Sequence, residues 1–487
     1  MRNTIEFLFN GELRTLSQFN PNMTVLRFIR EVEKAYGSKE GCAEGDCGAC
    51  TAVVVDLIDE KLHFRAVNSC IQLLGSLDGK ALMTIESLKK EGQLHAAQQA
   101  MVDEHGSQCG FCTPGFVMSI FAGLENGVEP KRQAIDELLA GNLCRCTGYT
   151  PIINAAVRVL ESRSEDVPDD RFETLRNQLV ALHREKGVSI QGIEGRFLIP
   201  KSLSELIACI DSNPDARLVA GGTDLGVQIT KKNDVFKTLV YLGQVPELNI
   251  LERCDDGIHV GATVTYAQAR SMFNDLIPSI GELIGRVGAV QVRNLGTVGG
   301  NLANGSPIGD MAPAFIAAGA QLRLRSSQGA RVIPLESFFI EYGRQDIANT
   351  EFIESVWVPI PPSSSLFNVY KVSKRIDQDI SSVCGAFNIT TEENASGELI
   401  VKQARICFGG MAGTPLRALA CEKLLTGRAW SEETIQEAMA QLKVTYEPLS
   451  DARASAEYRN RVAANLLYKF FVESQLAQPV GVHEIHA

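Results

Sequence analysis

The 487-residue sequence has no apolar run approaching the roughly 20 residues that a membrane-spanning helix needs. It does not open on basic residues followed by an apolar core, so no secretory leader is expected. Its seven histidines form no H-x-x-x-H or H-E-x-x-H pattern, which argues against a histidine metal site. G-x-S-x-G is missing, and with it the nucleophile elbow of serine hydrolases. Neither a Walker A motif nor the Rossmann G-x-G-x-x-G occurs, and there is no internal repeat or low-complexity tract. Positive charge is not in excess either. The 47 Lys and Arg against 58 Asp and Glu leave a net charge of -11, which speaks against nucleic acid as the main partner.

What the chain does have is cysteine. Eight of its 13 cysteines lie within residues 42–146, in two sets of four. Cys42, Cys47, Cys50 and Cys70 read C-x4-C-x2-C…C, the plant-type ferredoxin spacing for a [2Fe–2S] cluster. Cys109, Cys112, Cys144 and Cys146 read C-x2-C…C-x-C. Each two-iron cluster takes four thiolates, two per iron. The competing interpretation is structural zinc, because both sets contain a C-x2-C pair. Against it, the two pairs lie far apart, and C-x4-C-x2-C and C-x-C are poor zinc spacings. Two clusters in one chain imply a wire for single electrons. Secretion would predict disulfides from so many cysteines and the cytosol predicts metal sites, so a cytoplasmic protein is expected. Cys209, Cys254, Cys384, Cys407 and Cys421 have no ligand spacing and are expected to be inert core thiols.

At this length about three domains are expected. Residues 1–80 suggest a small β-rich unit, with strands near 3–9, 12–17, 51–57 and 62–67, a turn at Asn10-Gly11 and a helix near 24–35. The loop GCAEGDCGAC (41–50) carries three glycines, which let a backbone fold tightly and aim its amides inward. Residues 90–160 turn helical, in CTPGFVMSIFAGLENG, KRQAIDELLAG and TPIINAAVRVLES, with proline at the start of the first and third. Both cysteine pairs of the second set thus precede helix N-termini, which favour thiolates. Residues 161–195 are polar and read as an irregular linker.

Beyond it, Ser202-x-x-Glu205 resembles a capping box, followed by a strand RLVA and the loop AGGTDLG (220–226). An α/β region continues to about 335. Strands near 352–358, 367–373, 383–390 and 399–408 then give way to helices near 415–425, 432–443 and 456–475. The last helix carries an apolar stripe expected in the core or a subunit interface. AGGTDLG and GTVGGN (296–301) could each present successive N–H groups to a pyrophosphate, although tight turns use the same residues. Clusters pass one electron at a time and nicotinamide takes a hydride, so a flavin is expected as converter. Lys371 and Tyr342 sit in polar contexts that ordinarily mean the surface.

With these residues together, the chain resembles the xanthine dehydrogenase family within the molybdenum hydroxylases, in particular the small iron–sulfur/FAD subunit of the split prokaryotic enzyme. The resemblance runs through GCAEGDCGACT with Cys70, QCGFCTPGFVMS, GNLCRCTGYTPI, LVAGGTDLG, NLGTVGGNLANGSPIGD and KVSKRIDQDIS. It implies an α+β multidomain protein. A β-grasp [2Fe–2S] ferredoxin-like domain (1–82) and a four-helix [2Fe–2S] domain (83–162) come first, then a linker (163–195). An α/β FAD-binding domain of the PCMH/vanillyl-alcohol-oxidase type (196–370) and a C-terminal α+β flavoprotein domain (371–487) complete it.

By position, Leu218, Val219, Ala220, Gly221, Gly222, Thr223, Asp224 and Leu225 would wrap the FAD pyrophosphate. Thr297, Gly299, Gly300 and Asn301 would form the second flavin loop, Asp310 would bind through its carboxylate, and Lys371 would reach the flavin. Gln108 and Cys146 would contact the pterin of a molybdenum cofactor. Val287 stands where eukaryotic relatives carry an aromatic near the isoalloxazine, which leaves NAD and oxygen both open as acceptor. Tyr342 and Arg375–Asp379 fall near the nicotinamide side.

The sequence ends at Ala487, before the family's long molybdenum-binding segment would begin, so substrate hydroxylation is expected on a partner subunit, in a dimer of heterodimers without membrane or nucleic acid. The resemblance implies that electrons from hypoxanthine and xanthine oxidation run through the clusters to FAD and on to NAD. A related hydroxylase for another N-heterocycle or aldehyde, an oxygen-using oxidase, and a stand-alone iron–sulfur flavoprotein carrier are the alternatives. Arg145, between two ligands, should favour the more negative reduced cluster.

Overall fold

A computed structural model describes residues 1–163 and 172–476. Residues 164–171, within the expected linker, and 477–487 lie outside the described residues. The chain forms two compact units, Met1–Glu247 with Gly288–Thr297, and Leu248–Val287 with Val298–Ala487. Among the described residues, no helix is long and apolar enough to cross a membrane.

The first unit opens on a five-stranded mixed sheet, in the order Glu12–Leu16, Ile5–Phe9, Ala81–Met83, Thr51–Ile58, Lys61–Asn68. Ile5–Phe9 and Glu12–Leu16 form the hairpin expected at Asn10-Gly11, both of which take positive φ (50° and 87°) as a primed turn requires. Ile5, Phe7 and Val54 point into a core shared with Phe28 and Leu74. The expected helix near 24–35 is shorter and irregular. Val25–Arg27 is α-helical, capped by the Thr24 hydroxyl, and a π-type turn Phe28–Val32 follows.

Four helices come next, Ala96–Asp103, Thr113–Glu125, Arg132–Leu139 and Thr150–Glu161. Thr113–Glu125 is buried from Gly115 to Leu124, so it forms the centre of this part. Arg132–Leu139 buries only Ile135, Leu138 and Leu139.

The segment expected to be an irregular linker carries regular structure among its described residues. It holds the helix Glu173–Leu182 and the strand Val188–Gln191. Leu179 and Leu182 are buried and Phe172 packs on Phe64, with ring centroids 4.9 Å apart. So few anchors in a polar sequence leave little periodicity to read. Val188–Gln191, Arg196–Ile199, Thr238–Tyr241 and Arg217–Val219 then build a four-stranded sheet, the last two joins parallel. Ser202 caps the helix Leu203–Ser212, but Glu205 returns to the amide of Lys201 rather than to Ser202 itself.

In the second unit a five-stranded antiparallel sheet runs Leu251–Arg253, Gly257–Gly261, Phe352–Pro359, Gln321–Ser326, Gly329–Pro334. A second sheet of Ser365–Val372, Val383–Glu393, Leu399–Gly409 and Leu416–Arg417 follows. The wholly buried helix Met311–Ala318 joins the core of the first sheet. Leu419–Leu425, Glu432–Thr445 and Ala456–Ser474 complete the unit. The apolar stripe of the last helix lies in the core, where Phe470 stacks on Phe387 at 5.1 Å.

Candidate functional site

The loop 41–50 wraps inward on its own sulfur atoms. Gly45 and Gly48 take φ of 83° and 69°, which only glycine adopts freely. The amides of Glu44, Asp46 and Cys47 donate to Cys42 Sγ at 3.4, 3.3 and 3.3 Å, and the amide of Cys42 donates to Cys47 Sγ at 3.3 Å. Cys50 and Cys70 are buried behind them, tied by a Ser69 hydroxyl that donates to the Cys50 carbonyl. A Cβ on Gly41 would stand 2.8 Å from Cys47 Sγ, so this loop closes against the sulfur.

The thiols of this set titrate against one another. Cys42 is lowered by S–H bonds from Cys47 and then Cys70, while Cys47 is raised by its bond to Cys42. Cys50 is lowered by Cys70, and Cys70 is raised by Cys42 and Cys50. Sulfur atoms this close do not all keep protons once a cation is available. Beside them, both polar atoms of the buried Asn68 amide lack a partner, and a Cβ on Gly45 would lie 3.6 Å from its Nδ2. Thiols close enough to hydrogen-bond one another, inward amides and an unsatisfied buried amide suit an anionic, sulfur-rich group.

The second set is built from two loops. Cys112 caps Thr113–Glu125, and burial followed by Cys144 pushes its thiol up to about 12. Burial opposes ionisation of Cys144, but its hydrogen bonds, first with the Thr147 hydroxyl and then with the amide of Cys146, bring its pKa below the ordinary thiol value. Cys109 is lowered by the Phe111 amide and then by Cys146, which is itself raised by its bond to Cys109. Thus the four sulfurs meet as Cys109 with Cys146 and Cys112 with Cys144. Among the described residues no three Cys, His, Asp or Glu side chains converge on one ion position. Pairing of sulfurs is what a two-iron group with two thiolates per iron calls for. Cys109, Cys146 and Gln108 are exposed.

The two loops are joined directly. The Leu143 amide donates to the Cys47 carbonyl at 3.0 Å, one residue from Cys144. A Cβ on Gly48 would fall 2.2 Å from Gly141 O, and one on Gly115 would fall 2.2 Å from Gly48 O.

In the first unit, Leu218 and Val219 end a strand, Ala220–Gly222 make the turn with Gly222 at φ 75°, and Thr223–Val227 is a short helix. The expected loop therefore stops at Thr223; Thr223, Asp224 and Leu225 are helical. Gly221 presses on the strap 288–297, since a Cβ there would lie 1.9 Å from Leu295 O. Gly226 packs on Ile71, next to Cys70, where a Cβ would fall 2.1 Å from Ile71 O. Thr230 Oγ1 donates to Ala43 O at 2.6 Å and Lys231 Nζ to Cys42 O at 3.0 Å. The chain after the first glycine loop is thus anchored to the first thiol loop.

The second glycine loop also turns helical. After the buried Thr297, Val298–Asn304 is a helix that contains Gly299, Gly300 and Asn301. Gly299 allows close packing, as a Cβ would lie 2.6 Å from Ala262 Cα.

Asp310, expected to bind through its carboxylate, is paired with Lys371 at 2.7 Å, and the side chains are 8% and 3% exposed. Lys371 is therefore a core residue, contrary to the surface position expected for it. The Ser381 hydroxyl donates to the other Asp310 oxygen, and Lys371 Nζ also donates to Arg286 O at 3.0 Å. Ser381 and Arg286 had no sequence signal of their own. Val287 is half-buried against the core, whereas Tyr342 is 76% exposed. The Arg375 amide donates to Asp379 at 2.9 Å, which closes that segment into a turn.

Of the five remaining cysteines, Cys209, Cys384, Cys407 and Cys421 are buried with thiols raised chiefly by burial. Cys254 is exposed, a departure from the expected core position, because it lies in the turn after Leu251–Arg253.

Family profiles match three stretches of the chain. The profile for the [2Fe-2S] binding domain matches residues 84–157. That for the FAD binding domain in molybdopterin dehydrogenase matches 191–361, and that for the CO dehydrogenase flavoprotein C-terminal domain matches 368–474. Xanthine dehydrogenase 1 of Arabidopsis thaliana is 30% identical across 95% of this chain and 39% of its own length. Xanthine dehydrogenase/oxidase of Rattus norvegicus is 28% identical across 96% of this chain and 38% of its own. The chain thus spans well under half the length of these relatives.

Two solved structures are similar. A carbon monoxide dehydrogenase chain from Hydrogenophaga pseudoflava has a TM-score of 0.52 and 26% identity, over 56% of this chain and 93% of that one. A quinoline 2-oxidoreductase chain from Pseudomonas putida 86 has a TM-score of 0.51 and 25% identity, over 56% of this chain and 94% of that one. The chain belongs to the molybdenum hydroxylase family, and the part of that family it spans is the iron–sulfur and FAD-binding part.

Proposed function

We propose that this chain is the electron-transfer part of a xanthine dehydrogenase, with the molybdenum-pterin site on a partner subunit and NAD as the final acceptor. The observation that carries it is the direct bond between two four-thiol loops, Leu143 N–H to Cys47 C=O. Similarity to the xanthine dehydrogenase of Arabidopsis thaliana runs over 95% of this chain, which supports xanthine as substrate.

Cys42, Cys47, Cys50 and Cys70 would hold one [2Fe–2S] cluster in the β-grasp-like sheet domain, and Cys109, Cys112, Cys144 and Cys146 a second in the four-helix domain. Leu218–Leu225, Thr297, Gly299–Asn301, Asp310 and Lys371 would be the residues that contribute to holding FAD. When bound, the clusters supply one-electron steps and the flavin supplies the change to hydride transfer. The chain's own contribution is placement. The amides on Cys42 and Cys47 stabilise sulfur charge, while Gly226, Thr230 and Lys231 hold the first flavin segment to the loop of Cys42. Gln108 and the exposed Cys146 would face the pterin of the partner, in a dimer of heterodimers.

Native complex purified without oxygen should contain about four irons per copy of this chain, with FAD and molybdenum. It should reduce NAD when given xanthine. A chain that purifies alone and stable would favour a free-standing carrier; turnover of another heterocycle only, or of oxygen only, would replace xanthine or NAD in this scheme. Arg145 is exposed between Cys144 and Cys146, so its charge acts through water. Arg145→Glu is expected to lower the reduction potential of that cluster, by an amount that shrinks with salt. An unchanged redox titration would remove Arg145 from any tuning role.

A further inference from the structure

Gln291 and Asn142 meet in a fully buried polar hub within the first unit. Asn142 Nδ2 donates to Gly48 O at 3.2 Å and to Thr51 Oγ1 at 3.3 Å. Its Oδ1 accepts from Ser119 Oγ at 2.7 Å and from Gln291 Nε2 at 3.0 Å. Gln291 Nε2 also reaches Thr51 Oγ1 and Ser119 Oγ, at 3.4 and 3.3 Å. Each member borders a different piece of the thiol architecture. Thr51 follows Cys50, Asn142 precedes Cys144 by two residues, and Ser119 is on the helix that Cys112 caps.

Gln291 comes from much later in the chain, on the strap 288–297. That strap is tied elsewhere to both thiol-bearing parts. Arg65 Nη1 donates to Asn294 O at 3.0 Å and Asn294 Nδ2 to Ala66 O at 2.8 Å, while Arg293 Nη2 pairs with Glu137 at 2.7 Å. The fit leaves no slack, because a Cβ on Gly141 would lie 1.8 Å from Gln291 Oε1.

We propose that Gln291 is a positioning residue for electron transfer: through Asn142 it clamps the Cys47 loop to the Cys144 loop and so fixes the separation of the two iron–sulfur sites. The proposal rests on the reading that each four-thiol set holds a [2Fe–2S] cluster. A polar hub suits this task better than apolar packing, since hydrogen bonds prescribe direction as well as distance. Exchange of electrons between fixed sites falls steeply with separation, so a loop that drifts slows it.

The test uses the whole protein, loaded with iron and reduced anaerobically. Low-temperature electron paramagnetic resonance of the unsubstituted chain should show two distinct cluster signals, with a splitting from their magnetic interaction at full reduction. Gln291→Met keeps the side-chain length and removes the amide. It should retain iron and both signals, change or lose the splitting, and slow equilibration between the two signals in rapid-freeze experiments. Thr51→Val, isosteric at a strand position, should act in the same direction and decides the matter if Gln291→Met does not fold. Ser119→Ala, which leaves the bond between Asn142 and Gln291 intact, should alter the splitting least. Two clear signals with unchanged splitting and rate in both Gln291→Met and Thr51→Val would overturn the positioning role. Fewer than two signals in the unsubstituted chain would instead defeat the cluster assignment, and this proposal with it.

Discussion

Gly221→Ala is expected to yield protein that keeps its iron and has lost its flavin. The added Cβ would lie 1.9 Å from Leu295 O, 2.6 Å from Leu295 C and 3.0 Å from Gly296 Cα. All three are backbone atoms of the strap, so no rotamer change relieves the overlap. Either the 220–222 turn or the strap must move, at a cost on the order of 1–3 kcal/mol for forced overpacking. The first glycine loop and the start of the second at Gly296 are displaced together, while the clash falls on no atom of the thiol loops, which keep their own amide–sulfur bonds. The ratio of bound FAD to iron, read from absorbance after gel filtration, is the measurement. Gly222→Ala is the graded comparison. It suffers from φ 75°, worth roughly 1–2 kcal/mol for a residue with a side chain, but its Cβ would meet only Val219 Cγ1 at 3.4 Å. It should therefore lose less flavin. Equal flavin content in Gly221→Ala and the unsubstituted chain would show that this turn does not hold the cofactor.

The parts of this protein that could be read from sequence are those in which function dictates spacing within a short stretch. Cys42, Cys47 and Cys50 lie on one loop, and that loop closes on its own sulfur atoms, as ligands to a single cluster would have to. The hairpin at Asn10-Gly11 and the helices opened by Pro114 and Pro151 have local causes too, and they form where expected. Positions decided by distant partners were not legible. Nothing near Lys371 announces that its charge will be met by Asp310, 61 residues away, so its polar neighbours pointed to the surface. Gln291 looks like any helical glutamine until the strap is seen to cross both thiol-bearing parts. Glycine-rich runs misled in another way. Within GTDLG and VGGN, Gly226 and Gly299 sit in helical backbone and allow close approach to Ile71 and Ala262, while Gly222 alone takes the positive φ of a turn.

Lys371→Met should destabilise the second unit by about 3–5 kcal/mol, the usual cost of breaking a buried ion pair from one side. The pair is nearly sealed, with side-chain exposures of 3% for Lys371 and 8% for Asp310. Methionine matches the aliphatic stem of lysine, so packing is preserved and what remains is an Asp310 carboxylate that keeps the Ser381 hydroxyl as a donor and the Arg286 guanidinium as a more distant charge. Lost as well is the donor to Arg286 O, which ties the end of Pro278–Gly285 to the strand Ser365–Val372. For a unit of this size the stability loss corresponds to a fall in Tm on the order of 10 °C, visible by calorimetry. The double variant Lys371→Met with Asp310→Leu separates the contributions, because it leaves neither member of the buried pair charged without the other. It should recover much of the lost stability while binding no flavin, if these two side chains have a ligand role beyond their mutual pairing. Should the double variant be stable and still hold FAD, the pair is structural alone. Should Lys371→Met melt where the unsubstituted chain does, the buried pair contributes nothing to holding this unit together.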